Sequence, residues 1–147
     1  MDKKNIVTFF IFTLLSICAM AQEKLNWVDF ADVTFKSEYN TLHKANYLVP
    51  TFGETIKSYT GKQIKIKGYF LDIAGDGSML LLSQNPMAAC YFCGGSGPES
   101  IIEVIFKEKP NFKTDQIIEI VGTLKLNNED VEHCNYILEN ATGVLID

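Results

Sequence analysis

The chain is expected to fold as a mainly β protein, a small closed antiparallel barrel of about five strands with one short helix on its N-terminal side. Three observations predict this. Apolar residues recur with a period of two in several short segments. Glycine, aspartate and proline clusters separate those segments at hairpin spacing. Closing such a meander on itself removes the exposed edges that would otherwise invite pairing with other chains.

Taken in order, the first 21 residues read as an export leader. Lys3 and Lys4 precede an apolar run from Ile6 to Ile17, and Ala19-Met20-Ala21 supplies the small residues of a cleavage site. Cys18 is a poor lipid-anchor residue because bulky Ile17 precedes it, so an exported periplasmic or secreted protein is favoured over a lipoprotein. The apolar run is too short for a comfortable bilayer span, and no later segment approaches the roughly 20 apolar residues a membrane helix needs. One domain is expected from Leu25 to Asp147.

Within it, "LNWVDFADVTFKSEYN" offers a strand around Val33 to Phe35 and an aromatic group of Trp27, Phe30 and Phe35. "VPTFGETIKSYTGK" reads as a short helix, with Thr51 and Glu54 at capping-box spacing and Gly61 as its stop. In "KQIKIKGYFLDI", Ile64, Ile66, Gly68 and Phe70 alternate with Lys65, Lys67, Tyr69 and Leu71, the clearest strand of the chain. "AGDGS" is hairpin chemistry and "MLLLSQ" the returning strand. "IIEVIFK" sets Ile102, Val104 and Phe106 on one face. "QIIEIVGTLKL" follows, with Gly122 expected at a bulge, and "NYILENATGVLID" closes the set. Five strands in this order point to an OB-like barrel, named for oligonucleotide and oligosaccharide binding. The segment Glu108 to Gln116 is too short for the helix common between the third and fourth strands of such barrels; either the Thr51 to Tyr59 helix takes its place at the barrel's end, or the fold is another small barrel or sandwich.

Composition narrows function. Formal net charge is −5, and removing the leader, whose own charge is +1, leaves −6. All thirteen basic side chains are lysine. An acidic chain without a single guanidinium lacks the planar forks that read phosphate and guanine, so nucleic acid is excluded as a partner.

The chemistry concentrates in "NPMAACYFCGGSGPES", Asn85 to Ser100. A C-x-x-C pair followed directly by glycine suits a metal knuckle, because the tight turn lets backbone N–H groups approach thiolate sulfurs. Zinc wants four tetrahedral ligands. Cys90 and Cys93 supply two, with His133 or Cys134 as the third; adjacent residues on an extended segment face opposite ways, so only one of that pair is expected to join. A sulfur-rich version, with Met87 beside the knuckle, suits copper(I) as well as zinc. Two other readings compete. In an oxidising compartment the cysteines can form a structural disulfide on a protein-interaction module, although three cysteines cannot all pair within one chain. A thiol-disulfide redox protein, the one enzyme class considered, needs a thiol at a helix N-terminus, and "GGSGP" breaks a helix there. The Asp72 and Asp76 segment is a turn rather than a calcium loop, and Ser96 lacks the spacing of a nucleophile elbow. Tyr69, Phe70, Tyr91 and Phe92 offer a stacking platform on the barrel, but aromatic residues on strands are mostly core and these are expected to be so; His43 is expected at the surface.

The runs "GKQIKIKGYFLDI", "LLLSQNPMAACYFCGGSGPESIIEV", "VGTLKLNNED" and "NYILENA" together resemble a family of small exported bacterial proteins known only as a domain of unknown function, the DUF3299 type. Gly68 and Tyr69, Cys90, and Gly122 with Leu124 match its elements. Phe92 stands where the family has histidine, so this chain looks like a C-x-x-C-G-G-x-G-P-E branch and a histidine ligand does not carry over. The resemblance implies an OB-like barrel in the envelope, with an envelope protein or ABC-type transport component as partner, and no catalytic residue.

Overall fold

The structure is a computed structural model and describes residues 22–146. The expected leader lies outside the described residues. In chain order the elements are β1 (Glu23–Lys24), α1 (Trp27–Phe30), β2 (Val33–Asn40), β3 (Ala45–Phe52), α2 (Glu54–Lys57), β4 (Gln63–Asp72), β5 (Leu80–Ser83), β6 (Ile101–Phe106), β7 (Ile117–Leu126) and β8 (Tyr136–Leu145). Three single 3₁₀ turns, Met87–Ala89, Tyr91–Cys93 and Pro98–Ser100, carry the chain from β5 to β6.

Five strands close into a barrel. Around the ring the order is β4, β5, β6, β8, β7 and back to β4. The alternation read in the sequence fixes which face turns inward: Ile64, Ile66, Phe70, Leu82, Ile102, Val104, Ile118, Ile120, Leu124 and Leu138 are buried in one core. The barrel is OB-like in its coarse outline, as expected. One part of the expectation needs correcting, because the barrel is not wholly antiparallel: β6 and β8 run parallel, Glu103 beside Ile137 and Val104 beside Leu138. An odd number of strands cannot alternate direction around a closed ring, so at least one neighbouring pair must be parallel.

Two glycines permit the closure. A β-carbon on Gly68 would stand 2.6 Å from the Ser83 carbonyl oxygen and 2.9 Å from the Trp27 ring. Trp27 lies across this bare backbone and donates its Nε1 hydrogen to the Lys67 carbonyl at 2.9 Å. At Gly122 the β7–β8 register shifts, the bulge the sequence predicts.

The short helix packs onto the barrel through Ile56, which is fully buried in the core. Its start differs from the expectation. Thr51 lies in β3 opposite Thr34 and caps nothing. Gly53 takes the N-cap position, and the capping oxygen comes from Asp32, whose Oδ2 accepts the N–H groups of Thr55 at 2.9 Å and Ile56 at 3.3 Å. A side chain at Gly53 would collide with that carboxylate. Gly61, at φ +78°, ends the segment as expected and donates its N–H to Leu124.

The strand expected at Val33 to Phe35 is longer than the sequence indicates. β2 and β3 form a separate antiparallel hairpin with register running from Val33–Phe52 to Asn40–Ala45. Its root is anchored by buried Phe52, and its far end exposes Tyr39 and Leu42. Among the described residues no helix is long and apolar enough to cross a membrane.

Candidate functional site

The outer face of the barrel carries a second, smaller cluster, which explains why "MLLLSQ" shows no alternation. Leu71 on β4 pairs with Leu81 on β5, and Leu81 with Glu103 on β6. Their neighbours Phe70, Leu82 and Ile102 point inward, so this row points outward. Leu71 and Leu81 are nevertheless fully buried, because the β5–β6 connection folds back and covers them with Cys90. Tyr69, Ile73, Met79, Met87 and Cys134 pack around the same three residues.

The loop that delivers Cys90 is held by its own backbone. The Cys90 carbonyl accepts the N–H groups of Cys93 at 3.1 Å and Gly95 at 3.2 Å. Gly94 sits at φ +76°, the left-handed conformation that glycine after a C-x-x-C permits. Gly95 is required by space, since a β-carbon there would meet the Ala89 carbonyl. Further on, the Ser96 and Ser100 hydroxyls lie 2.7 Å apart and Ser100 donates to the Gly97 carbonyl at 2.6 Å. Asp115, from the connection before β7, accepts the Met87 N–H at 2.7 Å. These bonds present the two thiols together: Cys90 Sγ and Cys93 Sγ are 3.9 Å apart, the first buried and the second exposed. The contact with Cys90 and then burial hold the Cys93 thiol above its ordinary range, so it stays protonated at neutral pH.

The other two expected ligands are arranged by a residue that sequence reasoning missed. Glu103 is the outward carboxylate of "IIEVIF", and it grips the β7–β8 loop with both oxygens. Oε1 lies 2.8 Å from His133 Nδ1, and Oε2 accepts the Cys134 N–H at 3.0 Å. His133 remains half exposed at the surface, whereas Cys134 packs against the Leu71, Leu81 and Cys90 cluster. The two neighbours thus differ in environment, although they lie in the bent connection before β8 and not on the extended segment the sequence reading assumes. Hydrogen bonding to Glu103, then its charge, raises the His133 pKa. Burial, then the same charge, pushes the Cys134 thiol up to about 12. Of the four expected ligands, then, Cys90 and Cys93 are in sulfur contact. Among the described residues no group of three or more His, Cys, Asp and Glu side chains gathers to hold a metal.

Beside this edge lies a cleft of about 310 Å³ between the hairpin and the barrel. Leu48 and Pro50 of β3 form one wall, Tyr91 and Phe92 of the cysteine loop another, and Met79 and Cys134 also line it. Asp72 and Asp76 do what the sequence reading assigns to them. Asp72 Oδ1 accepts the N–H groups of Gly75 and Gly77, and Asp76 Oδ1 that of Ser78, which makes a turn. Phe70 is core, while Phe92 is half exposed. Comparison with models of protein families gives no match for this chain, and comparison with curated proteins gives none either.

Proposed function

We propose that the protein is an exported, non-enzymatic OB-like binding protein whose cysteine loop binds, or hands over, a zinc or copper ion through Cys90 and Cys93. The observation that carries this reading is the 3.9 Å between the two sulfurs on a turn already fixed by backbone bonds. One ion with metal–sulfur bonds of about 2.3 Å at the tetrahedral angle separates two thiolates by about 3.8 Å. The pair therefore needs little rearrangement to share an ion. Both thiols would give up their protons to solvent on binding.

The redox alternative is supported less well. A disulfide-exchange enzyme needs its attacking thiol at a helix N-terminus, and here Cys90 precedes only the three-residue turn Tyr91–Cys93, which Gly94 ends. The structural-disulfide alternative is the other outcome of the test. Mature protein is prepared from its export compartment, and its native mass, metal content and alkylatable thiols are measured beside a Cys93→Ser variant. Because Cys93 is exposed, that variant should keep its fold. The expected result is one metal ion per chain and three alkylatable thiols, with the ion lost in the variant. A mass two daltons low with a single alkylatable thiol would assign the loop to a disulfide, and metal content unchanged by Cys93→Ser would remove the metal reading.

A further inference from the structure

Between Gln22 and Ile146 the chain contains five sulfur-bearing residues: Met79, Met87, Cys90, Cys93 and Cys134. They come from three separate connections of the barrel, β4–β5, β5–β6 and β7–β8. All five lie in or around the outer cluster of Leu71, Leu81 and Cys90. Met79, Met87 and Cys134 pack against the cluster that contains Cys90, and Cys93 touches Cys90 through sulfur. No sulfur of these residues is used in the main barrel core. In OB barrels generally, ligands are taken on the face of the second and third strands and the loops beside it. The sulfur residues here cover Leu71 and Leu81, in the outward row of β4 and β5, the first and second strands of the barrel.

We infer that this convergence is a sulfur-only site for a cuprous ion, with Cys90 and Cys93 as thiolate ligands and the thioethers of Met79 and Met87 completing and enclosing it. The inference rests on the metal-binding reading above and deepens it by naming the metal. Zinc asks for four donors and takes thiolate, imidazole or carboxylate. Only two such groups are brought together, and Glu103 has both oxygens engaged, by His133 and by Cys134. The other donor side chains packed against the Cys90 cluster are the thioethers of Met79 and Met87 and the thiol of Cys134. These soft donors select copper(I). Copper(I) also accepts fewer ligands, and a trigonal ion with bonds of about 2.3 Å places two sulfurs about 4.0 Å apart, again close to the observed contact. Binding one Cu⁺ forms two copper–thiolate bonds and releases two protons to solvent, with no change in oxidation state. Met79 and Cys134 also line the cleft beside the hairpin, so part of the patch is reached from outside.

The test titrates reduced, metal-free mature protein with Cu(I) supplied as its bicinchoninate complex and, separately, with Zn(II) against a chromophoric zinc chelator. The same titrations are made on Met79→Leu/Met87→Leu and on Cys93→Ser, and X-ray absorption reports the copper shell. Leucine conserves the volume of methionine, so the double variant keeps its packing. Expected are one Cu(I) per chain in an all-sulfur shell, loss of binding in Cys93→Ser, and a fall in Cu(I) affinity of about tenfold or more in the methionine variant, with the weaker zinc binding unchanged. Tighter zinc than copper binding, nitrogen or oxygen in the copper shell, or copper affinity indifferent to the methionines would overturn the inference while leaving a dithiol metal site standing. Failure to bind either ion would remove both.

Discussion

A carboxylate with two committed oxygens decides how the β7–β8 loop sits on the barrel. Glu103 is largely covered, and it is satisfied by the His133 imidazole on one side and the Cys134 amide on the other. The imidazole is half exposed, so the pair is worth little to global stability and its influence is local. Its direction is defined. The His133 pKa is raised above the ordinary 6.5 in the folded protein. Stabilisation of the loop by the charged pair is therefore fully present below pH 6.5 and is lost as pH rises through the elevated folded value. In an NMR titration His133 should show a midpoint above the ordinary 6.5, and Glu103→Gln should bring it back toward that value. A His133 midpoint that ignores this substitution would mean that the contact does not persist in solution.

Among the elements, α2 shows how a four-residue helix is stabilised by a distant part of the chain. Asp32 supplies the cap across more than twenty intervening residues, and Gly53 makes room for it. Asp32→Ala should lower stability by about 1 kcal/mol, read as a lower urea midpoint with an unchanged slope. An unchanged midpoint would show that water replaces the carboxylate without loss. The same geometry explains what could be read in advance. β4 and β7 were legible because one face is buried and the period of two is therefore explicit in Ile64, Ile66, Ile118 and Ile120. The capping role of Asp32 was not, because sequence spacing records only local caps. Most of the β2–β3 hairpin was missed for a related reason: "KSEYNTLHKANY" buries neither face deeply, so no alternation marks it. At the candidate site, the C-x-x-C-G spacing announced the two thiols and their turn. The clamp by Glu103 and the approach of Met79 depend on cross-strand register. Their only traces were a carboxylate on the outward face of an apolar strand and an apolar run without alternation in "MLLL".

The molecule as a whole joins two bodies of unequal cohesion. Every barrel strand has at least two hydrogen-bonded neighbours and an inner face in the common core. The hairpin has only its own two strands, is pinned at the root by buried Phe52 and by the Gly53 N–H on the Asp32 carbonyl, and exposes Tyr39 and Leu42. A two-stranded ribbon without a buried face is marginal in water. Amides of Lys36 to Asn46 should therefore exchange with deuterium by local opening, faster than those of Ile64 to Phe70 by on the order of 100-fold or more. Because β3 also walls the cleft beside the sulfur patch, opening of the ribbon would widen access to Met79 and Cys134 without disturbing the barrel. Metal bound at Cys90 and Cys93 should then slow exchange in the cysteine loop and leave the ribbon tip unchanged. Equal protection of ribbon and barrel in the metal-free protein would show that the hairpin belongs to the same cooperative unit, and the cleft would then have a fixed wall.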